Sequence, residues 1–233
     1  MSFRSEVLNE ERIINIYLPG GYHHNSQHPH PVVYLLDGSV DEDFTHVAGL
    51  AGQSNLPRLQ ECVVIGIANV DRTRDFTFPT TVEKDKMVLP STGGSAKFIQ
   101  FLEEELQPFV QRNYSNNGVT TLIGRSLGGL LATEVLFTRP DLFTNYIILS
   151  PSLWWDDQSL LKQPPKISPS IKSIYIGVDK NEHKIIVKSA KTLSKKVQAQ
   201  QSEGLRVRYK SFSEASHDNI LQFALFDAFD WLQ

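Results

Sequence analysis

The fold is decided by one stretch of the chain, VTTLIGRSLGG at residues 119–129. Residues 119–123 are a short run of β-branched and apolar side chains, which is typical of a buried parallel strand. Residues 130–137 have the composition and length of a helix. A Gly-x-Ser-x-Gly pattern between a strand and a helix is the sequence context of a nucleophile elbow, a sharp turn that exposes a serine hydroxyl. We therefore predict that Ser126 is a nucleophile.

The residues around Ser126 support this prediction. Gly124 and Gly128 are expected to leave room for a turn in which Ser126 takes a strained backbone conformation. The helix that follows directs its first N–H groups toward the same point, where they stabilise developing negative charge. The alternative interpretation is a glycine-rich turn with an incidental serine, but the flanking strand and helix favour catalysis.

Composition limits the class of protein. The chain has 233 residues, of which 40% are apolar, and we predict a single α/β domain over residues 1–233. The net charge of −3 comes from mixed signs and gives no indication of a nucleic-acid partner. No apolar run approaches the length of a membrane span, so no membrane partner is expected. The first residues, MSFRSE, lack the apolar segment of a secretory signal, which predicts a cytoplasmic location.

The single cysteine and a histidine-rich segment are candidates for disulfide or metal chemistry. Cys62, the single cysteine, begins an apolar strand, so we predict a buried thiol and no disulfide framework. Residues 22–30 hold four of the seven histidines but lack the regular ligand spacing of a dedicated metal site. We therefore predict a solvated loop and no metal.

Strand and helix patterns alternate along the chain. Residues 2–8 and 12–18 predict an antiparallel hairpin at the edge of the sheet. Further strands are predicted at 32–36, 61–68, 119–123, 142–150, 170–178 and 205–212, with helices at 41–56, 95–109, 130–137, 183–197 and 217–232. A polar loop is predicted at 69–79, at the end of a parallel strand, where α/β sheets bind ligands. This alternation predicts an α/β fold with a mostly parallel sheet and helices on both faces.

A serine hydroxyl needs a base, which is itself oriented by an acid. In the α/β-hydrolase arrangement the chain order is serine, acid, histidine. Two histidines follow Ser126, and His217 comes directly after the last strand, so we predict that it is the base. His183 lies where the acid is expected instead, and Asp179 and Glu182 in the same loop both remain open as that acid.

An oxyanion hole needs two backbone donors. The N–H of Leu127, directly after the nucleophile, supplies the first. Gly38 or Ser39, at the end of the strand 32–36, is the expected second donor.

The chain resembles the α/β-hydrolase esterases related to esterase D and to the ferric-siderophore (enterobactin-type) esterases. The shared motifs span nearly its whole length: YLLDG at 34–38, GIANVDRTRD at 66–75, ELQPF at 105–109, GRSLGG at 124–129, SPSLWW at 150–155 and SH at 216–217. The resemblance implies an ester-hydrolase fold with Ser126 as nucleophile and His217 as base, and it favours Glu182 over Asp179 as the acid.

The resemblance also indicates where substrate would bind. Arg72, Trp154 and Trp155 match positions that flank the substrate pocket, and Arg125 stands where a histidine is common in the elbow. A cation and an aromatic wall would suit an aromatic or acidic acyl group. The alternative is that Arg72 makes a structural salt bridge and that the tryptophans pack the edge of the core.

Together these observations predict a serine carboxylesterase that acts through an acyl-enzyme on a small or aromatic-acyl ester, with siderophore-like esters included. The expected partner is therefore a small-molecule ester, and no cofactor is required. An acyltransferase on the same fold and a catalytically silent binding module are the two alternatives.

Overall fold

The computed structural model describes residues 1–24, 28–53, 56–200 and 203–232. Within these ranges the strands form one eight-stranded sheet in the order β1-β2-β4-β3-β5-β6-β7-β8. The strands are β1 Ser2–Ser5, β2 Glu10–Tyr17, β3 His30–Leu35, β4 Val63–Ile67, β5 Asn116–Arg125, β6 Asn145–Leu149, β7 Ser173–Asp179 and β8 Arg206–Phe212. Strands β3 to β8 are mutually parallel, whereas β1 and β2 form an antiparallel hairpin at one edge and β2 runs antiparallel to β4. The predicted fold class is confirmed.

Helices cover the sheet on both faces. They are α1 Phe44–Ala51, α2 Pro57–Gln60, α3 Arg72–Phe76, α4 Glu83–Val88, α5 Ser95–Phe101, α6 Gln107–Asn113, α7 Leu127–Thr138, α8 Trp155–Lys162, α9 Lys184–Gln198 and α10 Ile220–Trp231, with a π-helical turn Leu102–Leu106 joining α5 to α6. No helix in the described ranges is long and apolar enough to cross a bilayer.

Alternate residues of β3 point to opposite faces of the sheet and belong to two separate hydrophobic cores. Val32 and Tyr34 face a cluster that contains side chains of α5, α7 and α9, whereas Val33 and Leu35 face a second cluster formed with α1, α2 and α10. Every residue of β4, β6 and β7 is buried. Strands that are covered on both faces have continuous apolar sequences, and this is why they could be predicted from the sequence.

The predicted polar loop at 69–79 contains a helix, α3. Asp71 caps it by accepting a hydrogen bond from the backbone N–H of Arg74 at 3.0 Å. Asp75 in α3 is buried and pairs with Arg12 of β2, whose side chain is fully buried. This charge pair joins the hairpin to the loop, so the helix depends on a tertiary contact that local sequence does not encode.

Other boundaries also differ from the prediction. In the segment 41–56, which the sequence predicts as a helix with a Gly/Ser interruption, α1 covers Phe44–Ala51 and ends before Gly52, while residues 54 and 55 lie outside the described residues. The helix predicted at 95–109 is divided into α5, the π-helical turn and α6, and Ser95 Oγ at its start donates to Glu134 at 3.0 Å. Cys62 is buried as predicted, and burial raises the pKa of its thiol to about 12. In the histidine-rich segment, residues 25–27 lie outside the described residues.

Candidate active site

Ser126 occupies the sharp turn between β5 and α7. Its backbone has φ 59° and ψ −117°, a region that a residue with a side chain adopts only when its surroundings enforce it. Its N–H donates to the carbonyl of Leu149 at 3.0 Å. Its own carbonyl accepts from the N–H groups of Leu130 and Ser152, both at 3.0 Å. Contacts with β6 and with the first turn of α7 thus hold the strained residue at the carboxyl end of β5.

Close backbone packing explains two of the three glycines in the elbow. A Cβ atom on Gly124 would lie 2.2 Å from the carbonyl oxygen of Gly128, and one on Gly129 would lie 3.0 Å from that of Leu149. A Cβ on Gly128 would meet nothing closer than 3.4 Å. The steric role predicted for Gly124 is confirmed, whereas the one predicted for Gly128 is wrong and falls to Gly129.

His217 and Glu182 meet at the same edge of the sheet. His217 lies in the loop between β8 and α10 and is partly exposed, and its Nδ1 is hydrogen-bonded to Oε1 of Glu182. Glu182 follows β7, and its side chain is only 4% exposed. With Nδ1 directed at the carboxylate, Nε2 is the ring nitrogen left to exchange a proton with another group.

Asp179 is not part of this arrangement. Its Oδ1 accepts the backbone N–H of Asn181 at 2.8 Å, which closes the turn after β7. His183 is the residue before α9, and its Nδ1 faces the N–H of Ile185 at 3.5 Å. Of the two acids that sequence left open, the structure therefore brings Glu182 to His217.

Ser126 and His217 line one cavity of about 480 Å³. Within the described residues, Ser126 Oγ lies 3.3 Å from Ser152 Oγ and has no hydrogen bond to His217. Hydrogen bonds between catalytic groups are often long or poorly aligned until substrate binds. A larger cavity of about 600 Å³, between α2, β8 and α10, has none of the predicted site residues in its lining.

The backbone donors differ in availability. Leu127 is the first residue of α7, so its N–H has no acceptor within the helix. The N–H of Gly38 donates to the carbonyl of Ile67 at 3.0 Å, which argues against Gly38 as an oxyanion donor. The N–H of Ser39 makes only a long contact of 3.4 Å with Glu42, so Ser39 is the better second candidate.

Both arginines predicted at the pocket line the cavity, and each is already paired. Arg72 donates to Asp37 through Nε at 2.6 Å and through Nη2 at 2.9 Å. Burial alone would lower the pKa of Arg72, but these hydrogen bonds outweigh it and raise the pKa. Arg125 donates from Nη1 to the carbonyl of His217 at 3.1 Å, and its Nε lies 3.7 Å from Asp43. Arg72 thus makes the structural salt bridge of the alternative interpretation, while Arg125 supports the His217 loop.

The two tryptophans pack against the core. Trp155 is fully buried, and its indole N–H donates to the carbonyl of Phe78 at 2.9 Å. Trp154 packs edge-on against Trp155 with ring centroids 6.0 Å apart. Neither is among the residues that line the cavity of Ser126, and the burial of Trp155 agrees with the alternative interpretation, while an aromatic wall that includes the half-buried Trp154 stays a prediction.

Sequence reasoning gave no role to several residues at this site. The cavity is also lined by carboxylates, and two serines follow β6 beside the elbow. These residues are Asp37, Asp41, Glu42, Asp43, Asp218, Ser150 and Ser152. The available signal was position, because the carboxyl ends of neighbouring parallel strands meet at one edge of a sheet.

Comparison with known proteins extends this description. A family model described as "Putative esterase" matches residues 5–228. The ferri-bacillibactin esterase BesA of Bacillus subtilis (strain 168) is 30% identical over 245 residues, covering 91% of this chain and 82% of that protein. An IroE-like serine hydrolase from Shewanella oneidensis superposes with a TM-score of 0.83 at 28% identity, over 98% of this chain and 78% of the other. The siderophore hydrolase EstB from Aspergillus nidulans shares the fold, with a TM-score of 0.74 at 21% identity over 100% of this chain and 96% of the other.

Proposed function

Because this chain belongs to the "Putative esterase" family and is an ester-hydrolysing enzyme, we propose that it cleaves siderophore-like carboxylic esters with Ser126 as the nucleophile. The observation that carries the proposal is the backbone of Ser126, strained at φ 59° and placed in a cavity that His217 also lines. The substrate class is taken from the relatives, among them an esterase for ferri-bacillibactin.

The proposed reaction uses the acid-base pair beside the elbow. His217 Nε2 takes the proton of Ser126 Oγ as that oxygen attacks the ester carbonyl carbon, and Glu182 stabilises the imidazolium that forms. The bond from the carbonyl carbon to the leaving oxygen then breaks, and His217 returns its proton to the departing alcohol. Water, deprotonated by His217, attacks the acyl-enzyme and releases the acid with Ser126 regenerated. No step needs a metal or an organic cofactor.

Negative charge develops on the carbonyl oxygen during both attacks. We assign its stabilisation to the backbone N–H groups of Leu127 and Ser39, since the N–H of Gly38 is occupied. The N-terminal end of α7 adds a favourable dipole at the same point. A single domain over residues 1–233 and a cytoplasmic location stay predictions.

The proposal is tested with Ser126→Ala and p-nitrophenyl acetate. Loss of the nucleophile is expected to lower kcat by about 10³-fold or more, as in other serine hydrolases. Ser170→Ala is the matched control. Ser170 lies just before β7, at the amino ends of the parallel strands and away from Ser126 at their carboxyl ends, so this variant should keep full activity. A fluorophosphonate probe should label the wild type and the control but not Ser126→Ala. Equal turnover by wild type and Ser126→Ala would refute the proposal.

Product analysis separates hydrolysis from the two alternatives. With an added alcohol acceptor, free acid is the expected product, and an ester of the acceptor would show acyl transfer instead. A siderophore trilactone should be opened by the wild type and left intact by Ser126→Ala. Absence of both turnover and probe labelling in the wild type would indicate a binding module.

A further inference from the structure

Ser150 lies between the strand of the nucleophile and the strand of the acid. It directly follows β6, which pairs with β5 on one side and β7 on the other. Its side chain is fully buried, and its N–H donates to the carbonyl of Gly177 at 2.8 Å. The backbone of Ser150 has φ 41°, a value that glycine adopts without strain and serine does not. Glycine would fit this backbone better than serine, so we expect the side chain of Ser150 to have a role of its own.

The hydroxyl of Ser150 binds the candidate acid Glu182. It donates to Oε2 of Glu182 at 2.6 Å, while Oε1 of the same carboxylate accepts from His217. Within the described residues these are the two hydrogen-bond partners of the Glu182 side chain. Because that side chain is 4% exposed, bulk water is a poor substitute for either of them. A carboxylate held at both oxygens has its plane fixed, and hydrogen bonds to a charged acceptor are strong.

We propose that Ser150 is a positioning residue: its hydroxyl orients the Glu182 carboxylate, which in turn orients the His217 imidazole toward Ser126. This inference rests on the proposed function. The Ser150 hydroxyl bonds to Glu182, and Ser150 is not among the residues that line the cavity, so we infer that it acts through Glu182 and not on substrate. Losing the hydroxyl should misalign the base without removing any binding contact.

Ser150→Gly is the sharpest test, because it deletes the hydroxyl and relieves the strained backbone. We expect kcat to fall by about tenfold to 100-fold, as when the second partner of a functional side chain is removed. KM should change little, and the change in the thermal midpoint should be small, because the relief of backbone strain and the loss of the buried hydrogen bond act in opposite directions. Ser150→Ala should lose similar activity, and Ser173→Ala, a buried serine at the opposite end of β7, should keep it. Full activity in Ser150→Gly would overturn the proposal.

A double-mutant cycle distinguishes positioning from an independent effect. In a Glu182→Ala background, Ser150→Gly should cause no further loss of kcat, because the group through which it acts is gone. Losses that multiply would contradict the proposal. Failure of the proposed function has a different signature, since Ser126→Ala would then retain wild-type activity.

Discussion

At the scale of single residues, Gly124 carries the tightest steric constraint of the elbow. Gly124→Ala would force a Cβ to within 2.2 Å of the backbone oxygen of Gly128. We expect the free energy of unfolding to fall by about 1–3 kcal/mol or more, the usual cost of overpacking. Gly128→Ala meets only ordinary contacts and replaces glycine within a helix, so it should be neutral or stabilising by up to about 1 kcal/mol.

Urea denaturation of both variants measures this difference directly. The comparison is well matched, since the two glycines lie in one motif and gain the same methyl group. Equal destabilisation of the two variants would show that the backbone around Ser126 yields more than its packing indicates.

The two acids after β7 should also behave differently. Glu182→Gln removes the charge beside His217, and we expect kcat to fall by about 10²- to 10⁴-fold, the range for loss of an acid that sets the tautomer of a base. Asp179→Asn keeps an oxygen that can accept the N–H of Asn181, so its kcat should stay near that of the wild type. Steady-state kinetics with p-nitrophenyl acetate separates the two. A large loss in Asp179→Asn with none in Glu182→Gln would reverse the assignment.

At the scale of elements, α7 joins the turn that holds Ser126 to a buried acid. Glu134 lies in this helix and is 8% exposed. Its Oε1 accepts from Ser95 at 3.0 Å, and its Oε2 has no hydrogen-bond partner within the described residues. Burial raises the pKa of this carboxyl from 4.5 to about 7, although the hydrogen bond from Ser95 acts in the opposite direction.

This raised pKa makes stability depend on pH. Because the folded state binds the proton of Glu134 more tightly than the unfolded state, the contribution of Glu134 to stability is present below about pH 4.5 and is lost as the pH rises to about 7. The difference between the two limits is about 3 kcal/mol. Glu134→Gln cannot ionise, so it does not lose this contribution. Its free energy of unfolding, relative to that of the wild type, should therefore be higher at about pH 8 than at about pH 5.

Urea denaturation of wild type and Glu134→Gln at the two pH values gives the result. The expected observation is a difference between the proteins that grows with pH. A difference that is the same at both values would mean that the Glu134 carboxyl titrates normally in the folded protein.

At the scale of the whole molecule, the sequence predicted the features whose signal lies within a few neighbouring residues. The apolar runs of β4, β6 and β7 and the glycine-flanked Ser126 carry their signal within a few residues, so the strands and the elbow were found. Chain order then predicted that His217 lies at the same ends of the strands as Ser126, because parallel strands end together, and both residues line one cavity.

The pairing of charges and the burial of aromatic rings could not be predicted in this way. Arg12 meets Asp75 only because the hairpin packs beside α3, and Arg72 meets Asp37 only because β3 and β4 are neighbours in the sheet. Likewise, no local pattern shows that Trp155 is covered by the segment that contains Phe78. These contacts depend on strand order and on loop paths, which spacing along the chain does not specify.

The charge of the cavity leads to a prediction about substrates that differs from the one drawn from sequence. Arg72 and Arg125 are paired with Asp37 and Asp43, so neither presents an unpaired positive charge. The carboxylates that line the cavity without a salt-bridge partner in the described residues are Asp41, Glu42 and Asp218. An anionic acyl group would therefore be repelled, whereas a cationic ester would be concentrated at the site.

Acetylcholine and its neutral isostere, in which a tert-butyl group replaces the trimethylammonium group, isolate this effect because they have nearly the same shape. We expect kcat/KM to favour the cation by about 1.5-fold to fivefold at low ionic strength, the range of exposed charge interactions, and the preference to shrink as salt is added. The double variant Asp41→Asn/Asp218→Asn should lose the preference and keep its activity on the neutral ester, whereas Glu83→Gln, an exposed acid in α4, should change neither. A ratio near one that does not respond to salt would show that the three carboxylates are screened from the bound ester. The choice of substrate would then depend on the shape of the cavity alone.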